Sequence, residues 1–109
     1  EEAHNYAPEG KGGGALSARE LRRIASEGRK FHAGLLVITQ RPAYVSKDVL
    51  AQCNTSAVFR LVNNNDLKAI EGSIEMVTQA QLEEIPAYEQ GQCLITGVGV
   101  REPVTVKIE

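Results

Sequence analysis

At 109 residues, with 42% hydrophobic and 24% charged side chains, the chain has the make-up of one ordinary globular domain, able to bury roughly two-thirds of its unfolded surface. A formal net charge of −2 supplies no global positive field for nucleic acid, although a local stripe or a ring of subunits can bind DNA without a basic average. No apolar run approaches the ~18 residues of a membrane span, and the first residues lack the charged and apolar regions of a signal peptide. Cys53 and Cys93 stand isolated in apolar contexts, as buried thiols of a reduced, cytoplasmic protein do. With two His and two Cys at no metal-ligand spacing, a zinc site is not expected.

Residues 1–15, EEAHNYAPEGKGGGA, have no period and read as a flexible loop. Their glycine run is not a phosphate loop: Lys11 is followed by Gly12 rather than Ser or Thr, and Asn5 stands where the first glycine belongs. A helix begins at Ser17, with Glu20 completing a capping-box pattern, and Leu21, Ile24, Ala25, Gly28 and Phe31 mark its buried stripe. Arg19, Arg22, Arg23, Ser26 and Lys30 read as its solvated face, and Arg29 sits at the helix exit.

Residues 34–42, GLLVITQRP, are the stretch around which the rest is organised. A short apolar run bounded by Gly34 and Pro42 reads as a central strand of a parallel sheet, covered on both faces. Gln40 and Arg41 then fall at its carboxyl end, where open α/β sheets bind ligands. A short helix from Ser46 to about Cys53 follows, burying Val49, Leu50 and Cys53, and residues 56–62 form the next strand, interrupted by Arg60. Asn63 to Asp66 cap a helix that runs to Glu71 and stops at Gly72. Thr78 and Gln81 form a capping box for a helix reaching Glu84 before Pro86. Residues 92–97 and 103–108 close the chain as an antiparallel hairpin. The order is that of an α/β fold with a parallel core, flanking helices and an antiparallel edge. A sheet that opens on a helix lacks its earlier strands, so the expectation is a piece of a longer protein.

Glu1-Glu2 admits two readings. A His-Glu-x-x-His zinc motif is absent, because His4 follows the acids and no second His lies within reach. The other reading is the acidic end of a Walker B strand, where one carboxylate holds the waters of Mg²⁺ and the next polarises the attacking water. Successive strand residues point apart, so adjacent acids can divide those tasks. One helix later, Gln40 is an amide suited to orienting that water or sensing the γ-phosphate. Arg29 is a guanidinium suited to the charge developing on phosphate in a neighbouring subunit.

The segments EEAHNYAP, RRIASEGRKFHAGLLVITQRP, NTSAVFRLVNNNDL and EQGQCLITG together resemble the HerA/FtsK superfamily of hexameric pumping ATPases, and HerA-type DNA translocases most of all. The resemblance covers essentially the whole chain. It implies the C-terminal portion of a RecA-like P-loop NTPase domain, here residues 1–109, using ATP and Mg²⁺ to move double-stranded DNA as a homo-hexamer in repair and end processing. A nuclease of the NurA type is the implied partner, and no membrane association is implied. By the same resemblance Glu1 is the Mg²⁺-side acid, where the family's usual residue is Asp, and Glu2 is the water-activating acid. Gln40 is the sensor glutamine and Arg29 the trans-acting arginine finger, with Arg41 also at the nucleotide and Arg41 or Arg60 as other finger candidates. No Walker A lysine lies in these residues, so by themselves they are expected to be inactive. A conjugation or secretion ATPase of the same superfamily would share every one of these residues, and a non-catalytic RecA-like interaction module is the third reading. A superfamily-two helicase fits less well, since its Glu-Ala-His wording does not continue as Asn5-Tyr6-Ala7-Pro8.

Overall fold

Short-range signals place the helices. Asn63 accepts hydrogen bonds from the backbone N–H groups of Asn65 (2.9 Å) and Asp66 (3.4 Å), satisfying donors that a helix start leaves orphaned. Thr78 and Gln81 form both halves of their capping box. In the computed structural model, which describes residues 1–10 and 16–109, the helices are α1 (Leu16–Glu27), α2 (Lys47–Ala51), α3 (Asn64–Ser73) and α4 (Gln79–Glu84). The strands are β1 (Thr55–Phe59), β2 (Gln92–Gly97) and β3 (Val104–Lys107), in the order β1-β2-β3. None of the described helices is long and apolar enough to cross a membrane.

The chain divides into two compact units, Glu1–Cys53 and Asn54–Glu109. In the second, both strand pairings are antiparallel, with Val58 opposite Leu94 and Leu94 opposite Thr105. Residues two apart on a strand share a face. The Val58/Leu94 face packs against Ile70, Leu82, Ile85 and Tyr88, with Ile85 and Leu94 fully buried. Tyr88 satisfies its hydroxyl against Thr105 Oγ1 at 3.1 Å. Gly97 allows the close turn at the β2 end: its φ is +103°, and a Cβ there would overlap the Asn54 carbonyl oxygen. Gly72 does not end α3, which runs on to Ser73, with the Ile74 N–H reaching the Ile70 carbonyl.

The first unit contains α1, α2 and three 3₁₀ turns, at Ala3–Asn5, Gly28–Phe31 and Pro42–Tyr44. Residues 7–9 run beside 44–46: Ser46 N–H donates to the Ala7 carbonyl (2.7 Å) and Glu9 N–H to the Tyr44 carbonyl (2.9 Å). Ala7, Ala18, Val45 and Val49 are its buried side chains of apolar type.

The structure differs from the sequence reading at several places. Among the described residues, 35–39 have no regular secondary structure and pair with no strand, and the three-stranded sheet is antiparallel, so the parallel core of the expectation is not among its pairings. The run has the composition of a doubly covered strand, yet burial alternates along it and Leu36 is 83% exposed. The expected helical stripe is likewise only partly covered: Gly28 is buried and Leu21 and Ala25 are half-buried, whereas Ile24 and Phe31 are exposed. Ser17 lies inside α1, with its hydroxyl 3.5 Å from the Tyr6 carbonyl, and does not form the expected cap. The glycine run at 12–14, with Lys11 and Ala15, lies outside the described residues.

Candidate functional site

The acid pair stands at the start of the first unit, and its placement is set by backbone. Glu2 adopts a left-handed conformation (φ 51°, ψ 48°) and precedes the 3₁₀ turn Ala3–Asn5. Asn5 N–H closes back on the Glu2 carbonyl at 3.0 Å, and Ala7 N–H on the Ala3 carbonyl at 2.8 Å. Ala3 N–H donates to the Ile38 carbonyl at 3.1 Å, which fastens the acid pair beside the segment two residues ahead of Gln40. Glu1 and Glu2 are both exposed. His4 Nδ1 stands 3.5 Å from Glu2 Oε2.

Gln40 is exposed at the bend that ends the segment. Thr39 Oγ1 accepts from the Arg41 N–H at 3.1 Å, and the Arg41 guanidinium lies over the Tyr44 ring at 4.6 Å from its centroid, a cation–π distance. Pro42 is buried and starts the next turn, so the Gln40-Arg41 tip is anchored from both sides. Arg29 is exposed in the 3₁₀ turn Gly28–Phe31 and forms no ion pair among the described residues. Arg60, in the second unit, is engaged: its Nε donates to the Pro86 carbonyl at 3.1 Å.

A groove of about 410 Å³ runs between α1, the first 3₁₀ turn and residues 35–38, with Glu1 at its rim and Leu21, Ile24, Leu35 and Val37 among its walls. Apolar walls cannot satisfy phosphate oxygens, so this groove is not a nucleotide cradle. Among the described residues no group of three or more His, Cys, Asp or Glu side chains is clustered as a metal cage. The two exposed acids suit a different mode: Mg²⁺ keeps several of its waters and takes one or two protein carboxylates beside substrate phosphates. Both cysteines are free, Cys93 buried and Cys53 half-buried, and burial pushes both thiols above their ordinary value of 9.0.

The first unit therefore brings Glu1 and Glu2 next to the segment that ends in Gln40 and Arg41, while Arg60 lies in the other unit. The His4–Glu2 contact has no sequence signature beyond a two-residue spacing, and it accompanies a left-handed backbone at Glu2.

No family model matches the chain. Over 99% of its length it is 37% identical to a DNA double-strand break repair helicase HerA of Pyrococcus furiosus, and it spans 19% of that protein. Over its whole length it is 38% identical to a probable helicase of Methanocaldococcus jannaschii and 34% identical to a probable DNA double-strand break repair helicase HerA of the same organism. It spans 21% of each of these, so the chain covers about a fifth of the curated relatives it matches.

Proposed function

The chain belongs to the HerA-type helicase family, and on that premise we propose that it contributes the hydrolytic acid and sensor end of an ATP-driven DNA motor. In this reading the complete motor is a homo-hexamer that moves double-stranded DNA in break repair, with a NurA-type nuclease as its partner. Its phosphate loop is supplied from outside these 109 residues. Residues 35–39 join a RecA-like parallel sheet whose neighbouring strands are also supplied from outside the described residues. The observation that carries the reading is the 3.1 Å hydrogen bond from Ala3 to Ile38, which sets the acid pair beside the segment leading to Gln40.

Each residue then has a task. Glu2 accepts the proton of the attacking water, and the Gln40 amide orients that water. Glu1 holds waters of Mg²⁺, and Arg41, stacked on Tyr44, presents a fixed cation towards the nucleotide. Arg29, exposed and without an ion pair among the described residues, reaches the active site of a neighbouring subunit, where charge develops on the γ-phosphate. Mg²⁺, if bound, would be held through its waters by Glu1 and would supply positive charge against the developing charge on phosphate.

The test is ATP turnover by the protein at its natural length, with and without duplex DNA. Glu2→Gln keeps the side-chain shape and removes the base. Turnover is expected to fall by about a hundredfold or more while ATP still binds. Wild-type turnover in Glu2→Gln would sink the reading.

A further inference from the structure

The strain at Glu2 is coupled to an unsatisfied group. A left-handed backbone at a residue other than glycine is strained and persists where surroundings over-determine it, often at functional sites. Here it starts the turn that brings His4 back over Glu2. His4 Nδ1 is sealed from solvent and has no hydrogen-bond partner among the described residues, although the ring itself is a quarter exposed. Its charged neighbour is Glu2 Oε2 at 3.5 Å, with the Glu2 side chain half-exposed.

A sealed ring nitrogen facing a carboxylate has one favourable state. If Nδ1 carried a lone pair, two acceptors would oppose each other across the gap. If it carries the proton, it donates to the carboxylate, and a modest ring rotation shortens 3.5 Å to a charge-assisted hydrogen bond of ~2.8 Å. Catalytic hydrogen bonds are commonly long before substrate arrives and tighten afterwards.

We propose that His4 is a positioning residue that holds the Glu2 carboxylate through an Nδ1–H donor, tying Oε2 and leaving the other oxygen aimed at the reacting water. The inference rests on the reading of Glu2 as the base. His4 touches no reacting atom and acts by fixing the carboxylate's rotamer, as outer-shell partners of functional groups do.

The first test uses the protein at its natural length and does not depend on catalysis. Imidazole ¹⁵N spectra at about pH 8.5, above the ordinary histidine range, report the neutral tautomer directly. The Nδ1–H form is expected in the wild type, with reversion to the commoner Nε2–H form in Glu2→Ala. An Nε2–H tautomer in the wild type overturns the proposal. The second test is ATP turnover at natural length for His4→Ala and His4→Asn, the latter carrying an amide donor near the Nδ1 position. His4→Ala is expected to lower kcat about tenfold or more with KM unchanged, and His4→Asn to recover most of that loss. Equal losses in the two variants, or a loss confined to KM, overturn it. Full turnover in Glu2→Gln would instead remove the catalytic reading of Glu2 and leave the tautomer result standing, so the two failures are distinguishable.

Discussion

The two units solve the problem of excluding water in opposite ways. The second closes on itself: a three-stranded sheet lays Val58 and Leu94 against Ile70, Leu82, Ile85 and Tyr88, so large side chains fill its interior. The first buries small ones, Ala7, Ala18, Val45 and Val49, and leaves Leu36, Phe31 and Ile38 in solvent. Yet the candidate chemistry, Glu1, Glu2, Arg29, Gln40 and Arg41, lies wholly in the first unit. The second unit has the core of larger side chains, yet Phe59, Val62, Met76 and Val98 stay exposed on it as well; the first carries the candidate chemistry on a core of small ones.

The largest effect is expected where the second unit closes. Leu94 is fully buried at the centre of β2, and Leu94→Ala should destabilise that unit by about 3 kcal/mol, the transfer term plus the cavity left behind. Urea unfolding followed through the β1–β2 amide signals measures it. A loss below about 1 kcal/mol would mean that the sheet relaxes freely, and the contrast between the units would fail.

That contrast also explains what could be read in the sequence. The β2–β3 hairpin, the Asn63 cap and the Thr78–Gln81 box are legible because each is decided within a few residues. Gly72 misleads because a helix ends where its next hydrogen bond fails, and Ile74 still finds the Ile70 carbonyl. Residues 35–39 announce that both faces want cover but carry no information about what provides it. Helical spacing picks out Ile24 and Phe31 for the same reason, and the described chain leaves both exposed. For the site, the one-helix spacing between Glu1-Glu2 and Gln40 suggested that they act together, and the Ala3–Ile38 hydrogen bond joins the two segments. The His4–Glu2 contact accompanies one left-handed residue, which no pattern of residue types marks.

A smaller effect probes the second unit's interior by pH. Burial raises the Cys93 thiol above its ordinary value of 9.0, so the folded unit holds the proton after the unfolded chain has released it. Its contribution is therefore fully present below about pH 9 and is lost as pH rises through the folded-state value. Wild type should lose stability relative to Cys93→Ala as pH rises above about 9, and parallel curves would show that the thiol ionises without penalty.

The smallest expected effect is the most informative about the first unit. Leu36 is 83% exposed, so Leu36→Thr removes almost no buried area. In the 109-residue chain the change should stay within about 0.5 kcal/mol, the range of an ordinary surface substitution. In the protein at natural length, where residues 35–39 are proposed to become a covered strand, the same change should cost about 2–3 kcal/mol, because a fully buried leucine side chain is then lost and a hydroxyl enters an apolar layer. Thermal unfolding of both proteins measures the pair of values, and their difference isolates the cover that the first unit lacks. Equal, near-zero values would leave the segment open in both contexts and remove the parallel-sheet proposal, whereas a large loss in the short chain would show that Leu36 is already packed there.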